Sequence, residues 1–448
     1  MAQALDTAFL KAQDPDQHAS LAIGAVAIVD GAMPEFGRLK RLLAERILSV
    51  PRCTQLLRAH PMHQQWIDDP RFDLAHHVHR LAIARPGEEA ELSRAIAIAL
   101  ERPLDLDRPP WECWVIGGLT GNRWAILMKT HHSLLDGNPA ARLLARLCDD
   151  ADSDTFADHA AAKQVSTPPA SRQGWLDALW RASSVAGTVT DTLVGAFWPV
   201  LRPAPTDSVT TPRRYGTVRV PIADVDSVCR KFGVTANDVA LAAVTEGFRT
   251  VLLGRGEEPR ADSLRTLAPM PVRSAMMSYL PVEHEDPVER LRTVHTRWKV
   301  KQAESPGGLV ESAITSLPTM LRSSVIQLLS RLPQRAIVTL ATNVPGPRRR
   351  LQLLGQTMER LLPIPPTAVA LSTGIAVLSY GDELAFGITA ERDAAFDIKQ
   401  LAAGIELGMA RLVALSEDSV LLFGKEHRRK RSSRGFSGRV SGAHPSAY

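Results

Sequence analysis

His131-His132-Ser133-Leu134-Leu135-Asp136-Gly137 has the form HHxxxDG. Ahead of it, residues 124–130 are a short apolar run, which predicts a buried strand. Behind it come Asn138 and Pro139 and then Ala-Ala-Arg-Leu-Leu-Ala-Arg-Leu. That pattern predicts a helix with Asn138 as N-cap and Pro139 at its first position. Two histidines therefore stand where a strand stops and a helix starts, and loops fixed by rigid elements are where reactive groups concentrate. Neutral imidazole can take a proton from an attacking hydroxyl near neutral pH. A carboxylate four residues on can orient the ring or tie the loop down, and Gly137 permits backbone angles that a larger residue resists. A bare His-His pair reads more readily as core; the full motif at this junction turns the reading toward chemistry.

Outward from the motif, residues 20–30 predict a first buried strand, 35–49 a helix with Leu39, Leu42, Leu43, Ile47 and Leu48 on one side, and 88–101 another helix. His60, His63, His76, His77 and His79 form a histidine-rich patch without zinc-like spacing. Residues 72–74 and 77–80 alternate as a strand does, so these histidines are assigned to strand faces and no metal is expected. Residues 150–171, rich in Asp, Ala, Ser and Pro, predict a linker, and 175–201 an apolar, tryptophan-bearing crossover helix. In the second half, strands are expected at 215–221, 264–273 and 336–344, and a hairpin at 374–390 turning on Gly381-Asp382. Helices are expected at 222–232, from about 236 to 253, and at 396–415. Thr235, Asn237 or Asp238 can cap the second of these.

Composition bounds the function classes. The 448 residues are 45% hydrophobic and 23% charged, ordinary for a globular protein, and the formal charge is +5. Residues 425–448 hold seven Lys or Arg and one acid, leaving the body near −1. The body therefore lacks a nucleic-acid footprint. By composition the tail is disordered; its charge reads as a solvated segment or, alternatively, as one attracted to anionic lipid surfaces. The four cysteines, Cys53, Cys113, Cys148 and Cys229, form no CxxC pair and read as reduced core thiols. With no signal pattern and no run long enough to span a bilayer, a cytoplasmic location is expected, peripheral at membranes or lipid inclusions.

HHxxxDG resembles the signature of the CoA-dependent acyltransferase superfamily, which includes chloramphenicol acetyltransferase and peptide-synthetase condensation domains. Pro103-Leu104-Asp105, Arg108-Pro109-Pro110-Trp111-Glu112, Gly118-Leu119 and the opening 5–10 narrow the likeness to the bacterial wax ester synthase/diacylglycerol acyltransferase family. Asn343-Val344-Pro345-Gly346-Pro347 and Leu353-Leu354-Gly355 extend it, so that it runs from about residue 5 to about 416.

The resemblance implies an α/β fold of two chloramphenicol-acetyltransferase-like domains, each a mixed sheet flanked by helices, with an active-site channel between them. The boundaries expected are 1–150 for the domain with the motif, 151–210 for linker and crossover helix, 211–424 for the second domain, and 425–448 for the tail. It implies transfer of a long acyl group from acyl-CoA to diacylglycerol or a long-chain alcohol, with no cofactor and no metal. His132 would be the base, His131 its support and Asp136 structural. Gly137, Asn237, Asp238, Arg273, Asn343 and Gly355 would shape the channel or the frame around it. The alternatives are a condensation-type acyltransferase with another acceptor, or a weakly active or non-catalytic lipid-binding homologue. The last draws on the short stretch after Arg273, where a strand of the second sheet is expected to be shortened or missing.

Overall fold

The computed structural model describes residues 22–59, 64–131, 134, 139–150, 213–261, 263–269, 275–304, 337–365, 373–391 and 397–432. In the first half these are β1 (Ala22–Asp30), α1 (Phe36–Ile47), β2 (Gln55–Ala59), β3 (Gln64–Asp68), β4 (Val78–Ala82), α2 (Glu89–Glu101), β5 (Trp111–Leu119), β6 (Arg123–His131) and α3 (Pro139–Arg146). The second half supplies β7 (Arg213–Pro221), α4 (Ile222–Phe232), α5 (Ala236–Gly254), β8 (Arg265–Pro269), β9 (Ala275–Tyr279), α6 (Pro287–Glu304) and β10 (Ile337–Pro345). It closes with β11 (Gln352–Leu353), β12 (Gln356–Ile364), β13 (Thr373–Tyr380), β14 (Glu383–Glu391) and α7 (Ile398–Ser432).

The strands build two six-stranded mixed sheets, β11-β12-β1-β6-β5-β4 and β7-β14-β13-β10-β8-β9, with β2 and β3 as a separate hairpin. In the first sheet the motif strand β6 lies antiparallel between β1 and β5. Its alternate residues feed two cores. Trp124, Ile126 and Met128 pack with α1 and α3, whereas Ala125 and Leu127 pack with α2 and with Tyr215 and Ala385 of the second half. Because both faces are covered, β6 is apolar nearly throughout, as an enclosed strand must be. In the second half α4, α5 and α7 pack on Val218, Ile375, Val377, Phe386 and Ile388. Each aliphatic side chain fully enclosed in such a core stabilises the fold by about 1.5–3 kcal/mol.

The two halves interlock. β12 leaves the second half and pairs with β1, Gly24 opposite Ile364 and Val26 opposite Leu362. Across the boundary expected at 211, residues 352–364 complete the first sheet. Where β12 passes β14, Gly387 lies so close to Pro363 that a Cβ would sit 1.8 Å from the Pro363 carbonyl oxygen. Only glycine fits there. The Tyr215 hydroxyl donates to the same oxygen at 3.0 Å.

Three expectations change. The strand expected to be shortened or missing after Arg273 is not missing: the five-residue β9 pairs with all five residues of β8, from Pro269 opposite Ala275 to Arg265 opposite Tyr279. Residues 72–77 are not strand. Asp73 accepts from the Ala75 N–H at 2.8 Å and starts a single turn at Leu74–His76, so strand begins only at Val78. The closing helix does not stop near 415 but runs to Ser432, eight residues into the segment assigned to a disordered tail. His60, His63, the linker and the crossover helix lie outside the described residues.

Candidate active site

The site begins where β6 ends. His131 is its last residue, paired with Ala22 of β1, and its side chain is enclosed. Its N–H donates to the Pro110 carbonyl at 2.9 Å, and the Leu134 N–H returns to the His131 carbonyl at 3.1 Å, turning the chain out of the sheet. Leu134 is fully buried among the side chains that α3 contributes, and Arg52 Nη1 donates to its carbonyl at 3.3 Å. The next described helix starts at Pro139. The strand and the helix expected on either side of the motif are thus both present. His132, Asp136, Gly137 and Asn138 lie outside the described residues.

The floor of the site is polar in a way the apolar pattern hides. Lys129, two residues before His131, has no exposed surface. Its ammonium donates to the carbonyls of Ala99, at 3.0 Å, and Arg102, and lies 3.4 Å from Glu112 Oε2. Burial pushes Lys129 down to about 8, against the pull of Glu112. Glu112, its partner across the β5–β6 ladder, also accepts from Trp114 Nε1 at 3.1 Å. The His79 ring lies on Trp114 at 4.5 Å, and its Nε2 is buried without a hydrogen-bond partner among the described residues. Burial lowers the His79 pKa, partly opposed by Glu112. The pKa of His77, in the turn just before β4, is also lowered by burial. The His77 ring is stacked on Trp111 at 4.6 Å and hydrogen-bonded through Nδ1 to the Trp111 carbonyl at 2.8 Å, so it is a core residue.

The second-half residues take defined places. Thr235 is the N-cap of α5. Its N–H and hydroxyl donate to Asp238 Oδ2 at 2.9 and 2.8 Å, and its Oγ1 accepts from the Asp238 N–H at 3.2 Å, a reciprocal capping box. The same Oδ2 lies 2.9 Å from His295 Nδ1 on α6. Asn237 is half-buried on the first turn of α5. Asn343 falls in β10 where the register with β13 shifts, between Ala341 and Val344. Gly355 and Leu354 form the two-residue turn between β11 and β12, with φ of +76° and +55°. Positive φ at both positions is what a tight hairpin requires. The Gly355 N–H donates to Asp149 Oδ2 at 2.7 Å, and Asp149 also pairs with Arg46 of α1 at 2.7 Å. Gly355 therefore ties β12 to the end of the motif helix α3. Arg273 lies outside the described residues.

Among the described residues the structure joins Asp238 to His295 and Gly355 to the motif helix. Lys129 and His295 escaped the sequence reading, in which His79 figured only as a strand-face histidine and Glu112 only as part of the family-like stretch 108–112. A lysine inside the otherwise apolar stretch 124–130 was the signal available for the first; His295 carries no comparable mark.

Comparison with known proteins follows the same outline. Residues 3–240 match the wax ester synthase/diacylglycerol acyltransferase catalytic domain, and residues 273–412 the WS/DGAT C-terminal domain. A Mycobacterium tuberculosis protein whose name assigns it provisionally to the diacylglycerol O-acyltransferases is 59% identical over 445 residues, 99% of this chain and 97% of its own. The diacylglycerol O-acyltransferase tgs1 of the same species, likewise named provisionally, is 44% identical over 442 residues, covering 92% of this chain and 96% of its own. The solved wax ester synthase/diacylglycerol acyltransferase of Marinobacter aquaeolei superposes with a TM-score of 0.65 at 22% identity, covering 92% of this chain and 98% of that one. The chain belongs to the wax ester synthase/diacylglycerol acyltransferase family.

Proposed function

We propose that this acyltransferase moves a long acyl group from acyl-CoA to the free hydroxyl of a diacylglycerol or a long-chain alcohol, with His132 as the general base. One observation carries the assignment: HHxxxDG stands at the junction of β6 and α3 within the stretch that matches the family's catalytic domain. The base takes the acceptor's proton as its oxygen attacks the thioester carbonyl. The acyl–sulfur bond then breaks, CoA leaves as the thiol, and the proton returns to the sulfur. His131, enclosed at the strand end, holds the neighbouring backbone in place. Asp136 has a structural role in the motif and is not a proton relay. The reading needs no resident metal or cofactor. The alternative of a non-catalytic binder drew on the short segment after Arg273; that segment carries β9, which pairs along the whole of β8.

Peripheral association with anionic lipid surfaces belongs to the same reading. Diacylglycerol resides in membranes, and Lys425 and Arg428–Arg429–Lys430–Arg431 follow in sequence on α7. No helix among the described residues is long and apolar enough to cross a bilayer.

The test is turnover of labelled palmitoyl-CoA with diacylglycerol, hexadecanol or glycerol as acceptor. Ester should form with the two lipid acceptors, and His132→Ala should lower the rate roughly a hundredfold or more, the range general-base catalysis supplies. Undiminished activity in folded His132→Ala would remove the assignment.

A further inference from the structure

An ammonium in the middle of a fully enclosed strand is costly unless its hydrogens and its charge are met. Lys129 meets that demand at the end of a helix. α2 finishes without a glycine and without a basic residue in its last turn, and Arg102 leaves it in an extended conformation. Terminal carbonyls of a helix need donors, and a cation is favoured at that end. The carbonyls of Ala99 and Arg102 find both in Lys129, reached from a different element. The same helix end touches the second half, since the Arg213 N–H that opens β7 donates to Glu101 Oε1 at 3.0 Å. The motif strand is thereby fixed against α2, and α2 against the second sheet.

Lys129 and His131 are two residues apart on one strand, so they share a face at roughly 7 Å along the chain. Glu112 stands one strand further away, on β5. The other groups facing Lys129 are Arg102 on α2, 3.9 Å from Glu112, His79 on β4, and Arg213 on β7. β1 offers only Gly24 opposite.

We propose that Lys129, clamped between the carbonyl end of α2 and Glu112, is a positioning residue for the motif histidines: it fixes the end of β6 and supplies the positive charge that favours neutral imidazole. This rests on His132 as the base. A nearby cation disfavours imidazolium, so removing it raises the pH at which the base is lost, and removing the opposing carboxylate lowers it.

The experiment measures kcat, KM and the pH profile of kcat/KM between pH 5 and 9 with palmitoyl-CoA and diacylglycerol. Lys129→Met should lower kcat about tenfold or more, leave the acyl-CoA KM within about twofold, and move the acid limb up by roughly half a pH unit. That is the size of a unit charge acting over several ångströms of partly shielded protein. Lys129→Arg should bring the limb back toward the wild-type position. Glu112→Gln should move it down by a similar amount. A residue that merely stabilised the fold would move neither limb. Unmoved limbs in both folded variants overturn the proposal. Should Lys129→Met fail to fold, the direction of the Glu112→Gln shift decides alone. His132→Ala in the same series separates the two layers. If it retains full activity, the base assignment fails and takes this proposal with it. If it is inactive while the limbs stay fixed, only the role of Lys129 falls.

Discussion

Replacing Asp238 with alanine tests whether that carboxylate is a frame element or a substrate contact. Asp238 is 4% exposed, and its Oδ2 alone meets the Thr235 N–H, the Thr235 hydroxyl and His295 Nδ1, all between 2.8 and 2.9 Å. Truncation removes half of a capping box, worth about 1 kcal/mol. It also strips the His295 ring of its acceptor, at about 1 kcal/mol. The sum is about 2 kcal/mol, a sizeable part of the stability of an ordinary domain. The assay is urea unfolding of the full chain for wild type, Asp238→Ala, His295→Ala and the double variant. The pair should show a coupling energy of at least about 0.5 kcal/mol, as contacting residues do. Acyl transfer per folded molecule should change far less than stability. An Asp238→Ala protein that unfolds at the wild-type urea midpoint but has lost turnover would refute this and make Asp238 a substrate contact.

Gly355→Ala should destabilise by about 1–2 kcal/mol, read as a fall in Tm. The site has open space for a methyl group, so its φ of +76° alone sets the cost; an unchanged Tm would remove the turn argument. Deleting residues 425–448 should weaken co-sedimentation with phosphatidylglycerol vesicles at low salt and leave the melting curve in place. The difference should vanish as salt rises and the Debye length shortens.

The legible parts of the fold were those with a local physical cause. The apolar run before the motif, the hairpin turning on Gly381-Asp382, and the helix at Ile222–Phe232 each carry their own periodicity and punctuation. Pairing partners do not. Residues 356–364 show no regular alternation, and nothing within them names β1 as their neighbour. The stretch after Arg273 is short, but five residues, Ala275–Tyr279, suffice to pair with the five of β8. The basic segment from 425 is rich in charge, which suggests disorder, but Glu, Lys and Arg are also good helix formers and continue α7. At the site, the motif announced itself by residue type and spacing. The charge beneath it did not, because a buried lysine is defined by its partners: Ala99 and Arg102 lie about thirty residues away in sequence.

The strand that crosses between the sheets sets a timetable for the newborn chain. Gly24 and Ile364 face one another across 340 residues of sequence. At a synthesis rate of roughly 5–20 residues per second, the ribosome needs roughly 20–70 s to deliver the second after the first. Through that interval the motif half has emerged, but the outer edge of β1 has no neighbour, and a bare strand edge invites the wrong one. Expression at lower temperature, or with chaperones that shield exposed strand edges, should therefore raise the fraction recovered as monodisperse protein, while the first half alone should aggregate.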